Sequence, residues 1–425
     1  MKTGKNVVIP LNDSFGVDEL PDGWEQVNLS QIAELIMGQS PPGTTYNTEG
    51  VGVPFFQGKS DFTEKSPVVR TWCTQPKKFA KAGDILISVR APVGPTNVAD
   101  RDCSIGRGLA AIRPKNGIPT EYILYYLKLK EPELALRGTG TTFTAIKKED
   151  LVNLSIPLPP LAEQQRIVAR VEALLAHSNA ARDRLSRVPL IMKRFRRAVL
   201  AAACSGGLTD EPDGYQSRPA GDLFTDARYG TSNKCDYTKE DKIPVLRIPN
   251  IATGKLELTD LKYGDLTEKE IQRLAVQEGD LIICRTNGSL DLVGKAAIIP
   301  NLSEQFVFAS YLIRVRVNQN ILLPEYYHIC LTGQIGRDHI EEMARSTAGQ
   351  FNLNLEILRT MPIPLPPLAE QHEIVHRVGM LFERADAVER EVAAATKRTE
   401  ALTQAVLGKA FRGELVPIRI AEGQV

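Results

Sequence analysis

The stretch Ile156-Pro-Leu-Pro-Pro-Leu-Ala-Glu-Gln-Gln-Arg-Ile-Val-Ala-Arg-Val occurs twice, the second time as Ile363-Pro-Leu-Pro-Pro-Leu-Ala-Glu-Gln-His-Glu-Ile-Val-His-Arg-Val. The copies lie 207 residues apart, and 14 of the 20 positions from Ile156 to Leu175 are identical. A period that long is not one turn of a solenoid. It predicts a doubled plan: domain, helix, domain, helix. Proline fixes φ and disfavours helix before it, so each Ile-Pro-Leu-Pro-Pro run is expected to be an extended strap that sets where a helix begins.

Both following segments keep a 3.5-residue apolar period. In the first, Ile167, Val171, Leu174, Leu185, Phe195 and Val199 lie on one seam; in the second, Ile374, Val378, Leu381, Val392, Leu402 and Val406 do. Counted at steps of four and three, ten of eleven seam positions are apolar in the first copy and nine of eleven in the second. Such a period over five heptads is a coiled-coil seam. Pro189 is expected to kink or interrupt the first helix. Because the first helix leads away from one domain and the second starts at the other, seams that meet must run antiparallel. The expected fold is α+β, with two similar globular domains separated by a long antiparallel two-helix coiled coil and related by a pseudo-two-fold. The expected parts are residues 1–155, a domain; 156–211, a helix; 212–362, a domain; and 363–425, a helix.

Composition leaves this plan open to several functions. The net charge is +1, and the most basic part, 156–211, carries only +4, so no block announces nucleic acid by itself. No apolar run reaches the ~18 residues that a membrane span needs, and no apolar stretch follows Met1 as in a signal peptide. The six cysteines (Cys73, Cys103, Cys204, Cys235, Cys284 and Cys330) include no Cys-x-x-Cys pair and read as buried thiols of a cytoplasmic protein.

The domains resemble each other more faintly than the helices do. Pro21-Asp-Gly-Trp24 and Pro212-Asp-Gly-Tyr215 open them. Val53-Pro-Phe-Phe-Gln-Gly-Lys59 parallels Ile243-Pro-Val-Leu-Arg-Ile-Pro249, and Gly83-Asp-Ile-Leu-Ile-Ser-Val-Arg90 parallels Gly279-Asp-Leu-Ile-Ile-Cys-Arg285, a turn and then an apolar strand ending on arginine. Thr/Gly-rich loops, Arg137–Phe143 and Arg345–Phe351, precede the straps.

Short catalytic motifs do not withstand their context. His372-Glu-Ile-Val-His376 matches the zinc-hydrolase pattern H-E-x-x-H, but Ile374 is a seam position and the first copy has Gln165 and Ala169 in place of the histidines. Gly288–Lys295 departs from a phosphate loop by one residue in spacing, and Ala296 stands where a magnesium-binding hydroxyl belongs. No nucleophile elbow is present. The chain is expected to be no enzyme and to bind neither a metal nor a cofactor.

The doubled Pro-Leu-Pro-Pro-Leu-Ala-Glu-Gln before a long helix resembles the DNA-specificity subunit of type I restriction-modification enzymes, and the other motifs follow in that family's order. The resemblance implies two target-recognition domains, each reading one half of a bipartite, asymmetric site in double-stranded DNA. The helices would set the spacing and dock two methyltransferase subunits. Those subunits would carry S-adenosylmethionine, and motor-nuclease subunits would join for cleavage. The family supplies no motif for base contacts, so candidate DNA-binding residues come from local chemistry, since Arg, Asn and Gln read base edges and cations hold phosphates. In the first domain they are Gln39, Ser40, Gln57, Lys59, Arg90, Arg107, Thr139, Thr141 and Thr142; in the second, Arg228, Tyr229, Lys234, Arg247, Asn250, Arg285, Asn287 and Arg345. The rival readings are a coiled-coil scaffold that bridges proteins without DNA, and a zinc hydrolase built on His372 and His376.

Overall fold

Each proline strap closes the domain that it leaves. The computed structural model describes residues 20–63, 66–137, 145–209, 215–343, 345–347 and 350–416, with backbone only at 345–347 and 350. The chain divides into two compact units, residues 1–185 with 394–425, and residues 186–393.

The first unit begins with a turn in which Gly23 takes φ 81°, then β1 (Glu25–Asn28) and the single turn α1 (Leu29–Ile32). The strands β2 (Ala33–Met37), β3 (Tyr46–Asn47), β4 (Val53–Phe56), β5 (Trp72–Cys73), β6 (Phe79–Ala80), β7 (Ile85–Ser88), β8 (Thr96–Val98), β9 (Cys103–Ile105) and β10 (Leu109–Pro114) follow. They make two sheets, β2-β10-β7-β8 and β3-β5-β4-β9-β6. Strand β7 is buried throughout: Ile85 and Ile87 face one core and Leu86 the other, as the two-residue period of a strand requires. The helix α2 (Thr120–Arg137) covers the first sheet with Tyr122, Ile123, Tyr126 and Leu127. After α3 (Lys148–Val152) comes the strap, β11 (Ser155–Leu158), which pairs antiparallel with β1. The buried Tyr122 Oη donates to the Pro157 carbonyl at 2.7 Å. The helix α4 (Leu161–Ser205) then starts.

The second unit repeats this order. It contains β12 (Ser217–Pro219), β13 (Phe224–Tyr229), β14 (Cys235–Asp236), β15 (Ile243–Leu246), β16 (Lys262–Gly264), α5 (Glu268–Leu274), β17 (Leu281–Cys284), β18 (Thr286–Asn287), β19 (Ala296–Ile298), β20 (Val307–Phe308) and β21 (Leu312–Val317). Then come α6 (Pro324–Thr332), α7 (Gln334–Met343), β22 (Arg345–Thr347), β23 (Gln350–Asn352), α8 (Leu355–Thr360), the strap β24 (Pro362–Pro364) and α9 (Leu368–Phe411). Its sheet β13-β21-β17-β19 matches β2-β10-β7-β8 strand for strand, and β14-β16-β15-β20 matches β3-β5-β4-β9 without a counterpart of β6, down to the parallel pair β15–β20, which answers β4–β9. Strand β24 pairs with β12, and Tyr326 Oη donates to Pro364 as Tyr122 does to Pro157.

The Gly-Asp turns belong to this framework. Gly83 and Gly279 take φ 89° and 82°, a region that favours glycine. The next residues, Asp84 and Asp280, are 2 % and 0 % exposed. Asp84 receives two bonds from Arg113 at 2.9 and 2.8 Å, and Asp280 two from Arg316 at 2.7 and 2.8 Å. The repeated motif is a buried ion pair that locks a turn to the last strand of the sheet.

Both long helices enter the cores. In the first unit Ile167, Val171 and Leu175 from the start of α4 share a core with Leu407, Ala410 and Phe411 from the end of α9, whose ring lies 5.1 Å from Tyr122 and 5.0 Å from Tyr126. Further from that core Arg182 donates to Thr403 at 3.4 Å, so the two helices run antiparallel there. In the second unit Val199 and Ala203 of α4 share a core with Ile374 and Val378 of α9, and Arg196 pairs with Asp386 at 2.5 Å and Glu389 at 3.1 Å.

Two expectations need correction. Of the kink or interruption expected at Pro189, the interruption is corrected: the helix α4 runs on through it, where the missing N–H falls on an exposed face. The strict 3.5-residue seam also drifts. Leu402 is 54 % exposed, whereas Leu407, Ala410 and Phe411 are buried, and Leu175 is buried more deeply than Leu174. An α-helix at 3.6 residues per turn rotates ~20° per heptad away from a fixed seam, and here the domain core captures the shifted face. His372 and His376 are exposed on α9, and Glu373 pairs with Arg377 at 2.5 Å.

Candidate nucleic-acid interface

In the first unit the parallel pairing of β4 with β9 brings the chain that follows each strand to one end of the sheet. Gln57-Gly58-Lys59 leaves β4, and Gly106-Arg107-Gly108 leaves β9. The ends of β2 and β7 bring Gly38-Gln39-Ser40 and Val89-Arg90-Ala91 to the same place. Backbone bonds clamp these four segments: Gln39 N to Ile105 O at 3.0 Å, Gly106 N to Phe56 O at 2.8 Å, and Val89 N to Gly108 O at 2.9 Å. Glycine is required at Gly38 and Gly108, where a Cβ would sit 2.2 Å from the carbonyl oxygens of Gly106 and Gln57 respectively. The Ser40 hydroxyl accepts from Arg107 N at 3.2 Å.

The result is a cavity of about 180 Å³ lined by Ser40, Gln57, Gly58, Lys59, Ser88, Arg90, Ala91, Arg107 and Gly108. Five of the residues singled out in the sequence meet here, and Gln39 lies exposed beside them. Lys59, Arg90 and Arg107 are exposed, and none makes an ion pair among the described residues. A nearby carboxyl, Glu131, is pushed up by burial, while Lys59 and Lys128 pull it down. Thr139, Thr141 and Thr142 lie outside the described residues.

The second unit builds the same frame. Thr231 N donates to Phe308 O at 2.8 Å, Arg285 N to Tyr311 O at 2.9 Å, and Leu353 N to Arg285 O at 2.8 Å. Gly230 repeats the close approach of Gly38, with a Cβ position 2.1 Å from Phe308 O. These bonds fix the correspondence. Leu109 lies opposite Ser88 and Leu312 opposite Cys284, so Val89 answers to Arg285 and Arg90 to Thr286. The expected match of Arg90 with Arg285 is therefore one residue out, and one residue reverses the face of a strand.

The remaining candidates in the second unit are largely committed to the fold. Arg228 is bound by Asp226 and by the Arg273 carbonyl, and Arg247 by both the carboxylate and the carbonyl of Asp260. Asn250 is 1 % exposed; its amide hydrogens go to the Glu257 and Thr259 carbonyls and its oxygen accepts from Arg247 N. Asn250 is thus corrected as a surface contact, while Arg228 and Arg247 are half-buried and already engaged by partners in the fold. The Arg285 guanidinium lies 4.4 Å over the Tyr229 ring and donates to Ser310 O at 3.4 Å, while the Tyr229 hydroxyl accepts from Leu355 N. Asn287 caps its own turn through Ser289 N. Lys234 is exposed, and Arg345 is described only in its backbone, paired with Asn352. Sequence reading missed Ser310 and Tyr311, which answer to Arg107 and Gly108; Tyr311 is 60 % exposed at the rim. Only a register-true alignment of β10 with β21 points to them.

Similarity to known proteins agrees with a doubled recognition architecture. The family model described as the type I restriction modification DNA specificity domain matches residues 21–186 and again 212–394. The chain is 30% identical over 428 residues to the type I restriction enzyme EcoKI specificity subunit of Escherichia coli, covering 93% of this chain and 90% of that protein. It is also 30% identical over 426 residues to the StySPI specificity subunit of Salmonella potsdam, with the same coverage. A crystal structure of the HsdS subunit from Thermoanaerobacter tengcongensis is 55% identical over 36% of this chain and 38% of that one, with a TM-score of 0.34. With both domains matched and full-length relatives at this level, the chain belongs to the type I restriction-modification DNA specificity family.

Proposed function

We propose that the chain is the DNA-reading, non-catalytic subunit of a type I restriction-modification enzyme, and that each domain reads one half of a bipartite duplex site through the face just described. One observation carries this reading: the same backbone frame is built twice, with the same ladder bonds and the same close glycine approach at Gly38 and Gly230, but with different side chains on its rim. A scaffold that only bridges proteins has no use for a duplicated frame with divergent rims; two half-sites of different sequence require one. The chain acts with methyltransferase and restriction subunits. The finer expectation is two methyltransferase subunits docked on α4 and α9, with S-adenosylmethionine held by them, in the cytoplasm. Among the described residues no helix is long and apolar enough to cross a membrane.

The test is a salt titration of duplex DNA binding by the chain with its methyltransferase partner, using DNA that carries the site methylated in vivo. Affinity should fall steeply as salt rises, because phosphate contacts release counterions. A protein bridge indifferent to DNA would give no such slope.

A further inference from the structure

The two faces share a frame but not a charge. In the first unit three cations, Lys59, Arg90 and Arg107, open onto one cavity of about 180 Å³ whose lining includes no carboxylate. At the equivalent positions the second unit has Pro249, Thr286 and Ser310, none of them charged. Its nearby Arg247 is paired with Asp260 at 2.9 Å, and its Arg285, which answers to Val89, is stacked on the Tyr229 ring and bound to the Ser310 carbonyl. Elsewhere in the first domain Arg101 and Arg113 do have carboxylate partners, at 2.9 and 2.8 Å. The Glu131 carboxyl acts on Lys59 from outside the lining, but none of the three cations is ion-paired among the described residues, and like charges opening onto one cavity are stabilised by an anion.

We propose that this cavity is a seat for a DNA backbone phosphate of the first half-site, and that the second domain has no equivalent seat. The inference rests on the DNA-reading function above and adds which chemical group enters the cavity. A guanine edge offers two neutral acceptors in one plane, which satisfy one guanidinium and leave two cations unmatched. A phosphodiester carries a full negative charge and oxygens in several directions, so it meets all three. The shape agrees: a protruding phosphate enters a concavity, whereas a base edge recessed in a groove is reached by a protruding side chain. The Ser40 hydroxyl, whose oxygen is held by Arg107 N, has its proton free to donate to the same anion. The second domain then holds its half-site with Ser310, Tyr311 and Thr286 at these positions, without three cations opening onto one cavity.

The experiment compares the full chain, in complex with its methyltransferase partner, with the variant Lys59→Gln/Arg90→Gln/Arg107→Gln and with Arg107→Gln alone. These side chains are exposed, so folding is checked simply by thermal unfolding, and the single variant serves if the triple one does not fold. The expected slope of log affinity against log salt is shallower by about 0.9 for the lost phosphate, so a fourfold rise in salt weakens the triple variant about 3-fold less than the wild type. The methylated sequence should stay the same. A duplex with one neutral methylphosphonate, moved along the first half-site, should weaken wild-type binding at one position and leave the variant unaffected. An unchanged slope, or a changed base preference in the first half-site, overturns the phosphate seat. Loss of any salt dependence in the wild type would instead overturn the DNA reading itself.

Discussion

The two recognition domains agree in what they bury and differ in what they show. The buried turn-locking pairs Asp84–Arg113 and Asp280–Arg316, the tyrosine bonds to Pro157 and Pro364, and the glycine approaches at Gly38 and Gly230 are common to both. The rims are unrelated: cations in one domain, an exposed tyrosine and hydroxyls in the other. This division teaches that a frame can be kept by backbone bonds and a few buried side chains, leaving the rim side chains free to vary with the sequence they meet. It also separates mutations into two kinds, those that cost stability and those that change recognition.

The largest effect should come from Asp280→Ala. Asp280 is fully buried, receives both bonds from the half-buried Arg316 and lies 3.8 Å from the buried Arg314, so its loss removes the carboxylate of Arg316 and leaves Arg314 with Asp226 alone. The expected cost is about 3–5 kcal/mol, read by chemical denaturation of the second unit. Asp84→Ala should cost less, because Arg113 keeps Glu34 at 3.2 Å. Equal costs would break the distinction between the two pairs.

Next comes the glutamine that starts each long helix. Gln371 donates to Pro366 and Ile321 and accepts from Leu323 N, whereas Gln164 donates to Pro159. Gln371→Ala is expected to cost about 2–3 kcal/mol and Gln164→Ala about 1 kcal/mol. The reverse order in thermal or denaturant unfolding would show that the second strap is not the more tightly tied.

Tyr122→Phe and Tyr326→Phe should each cost about 1 kcal/mol, equally, since each removes one buried bond to a strap carbonyl. A marked inequality would argue against equivalent closure of the domains.

The smallest effect is an acid one confined to the second domain. The Asp226 carboxyl is held below its ordinary value: burial pushes it up, but hydrogen bonds from Arg228 and Arg314 and their charges outweigh this. A depressed folded value stabilises above the unfolded value of about 3.9, and the gain is lost as pH falls through the folded value. Unfolding measured from pH 6 to pH 3 should show a steeper loss for wild type than for Asp226→Asn. Parallel curves would remove Asp226 from the network.

The straps and helices were legible in the sequence because they must match each other residue by residue, and because a 3.5-residue period is visible without any partner. The end of the seam was not, since the drift that exposes Leu402 and buries Leu407 depends on where the domain core meets α9. In the first domain, the candidate residues from Ser40 to Arg107 converge, because each follows the end of an apolar strand or turn that the pattern already marks. In the second domain the same reasoning faltered. Arg228, Arg247 and Asn250 have the chemistry of base readers, but their partners Asp226, Asp260 and the Glu257 carbonyl are close only in the folded chain. Pairing Arg90 with Arg285 ignored one residue of register, which only the ladder bonds reveal.

The most direct measurement is genome-wide mapping of methylated adenines in cells whose only specificity subunit is this chain carrying Tyr311→Ala. The Tyr311 side chain stands on the rim of the second face, and only its carbonyl, which alanine keeps, belongs to the frame. The expected result is a site altered or relaxed in one half, with the other half and the spacing unchanged. Changes in both halves, or in the spacing, would contradict two independently reading domains on a common frame.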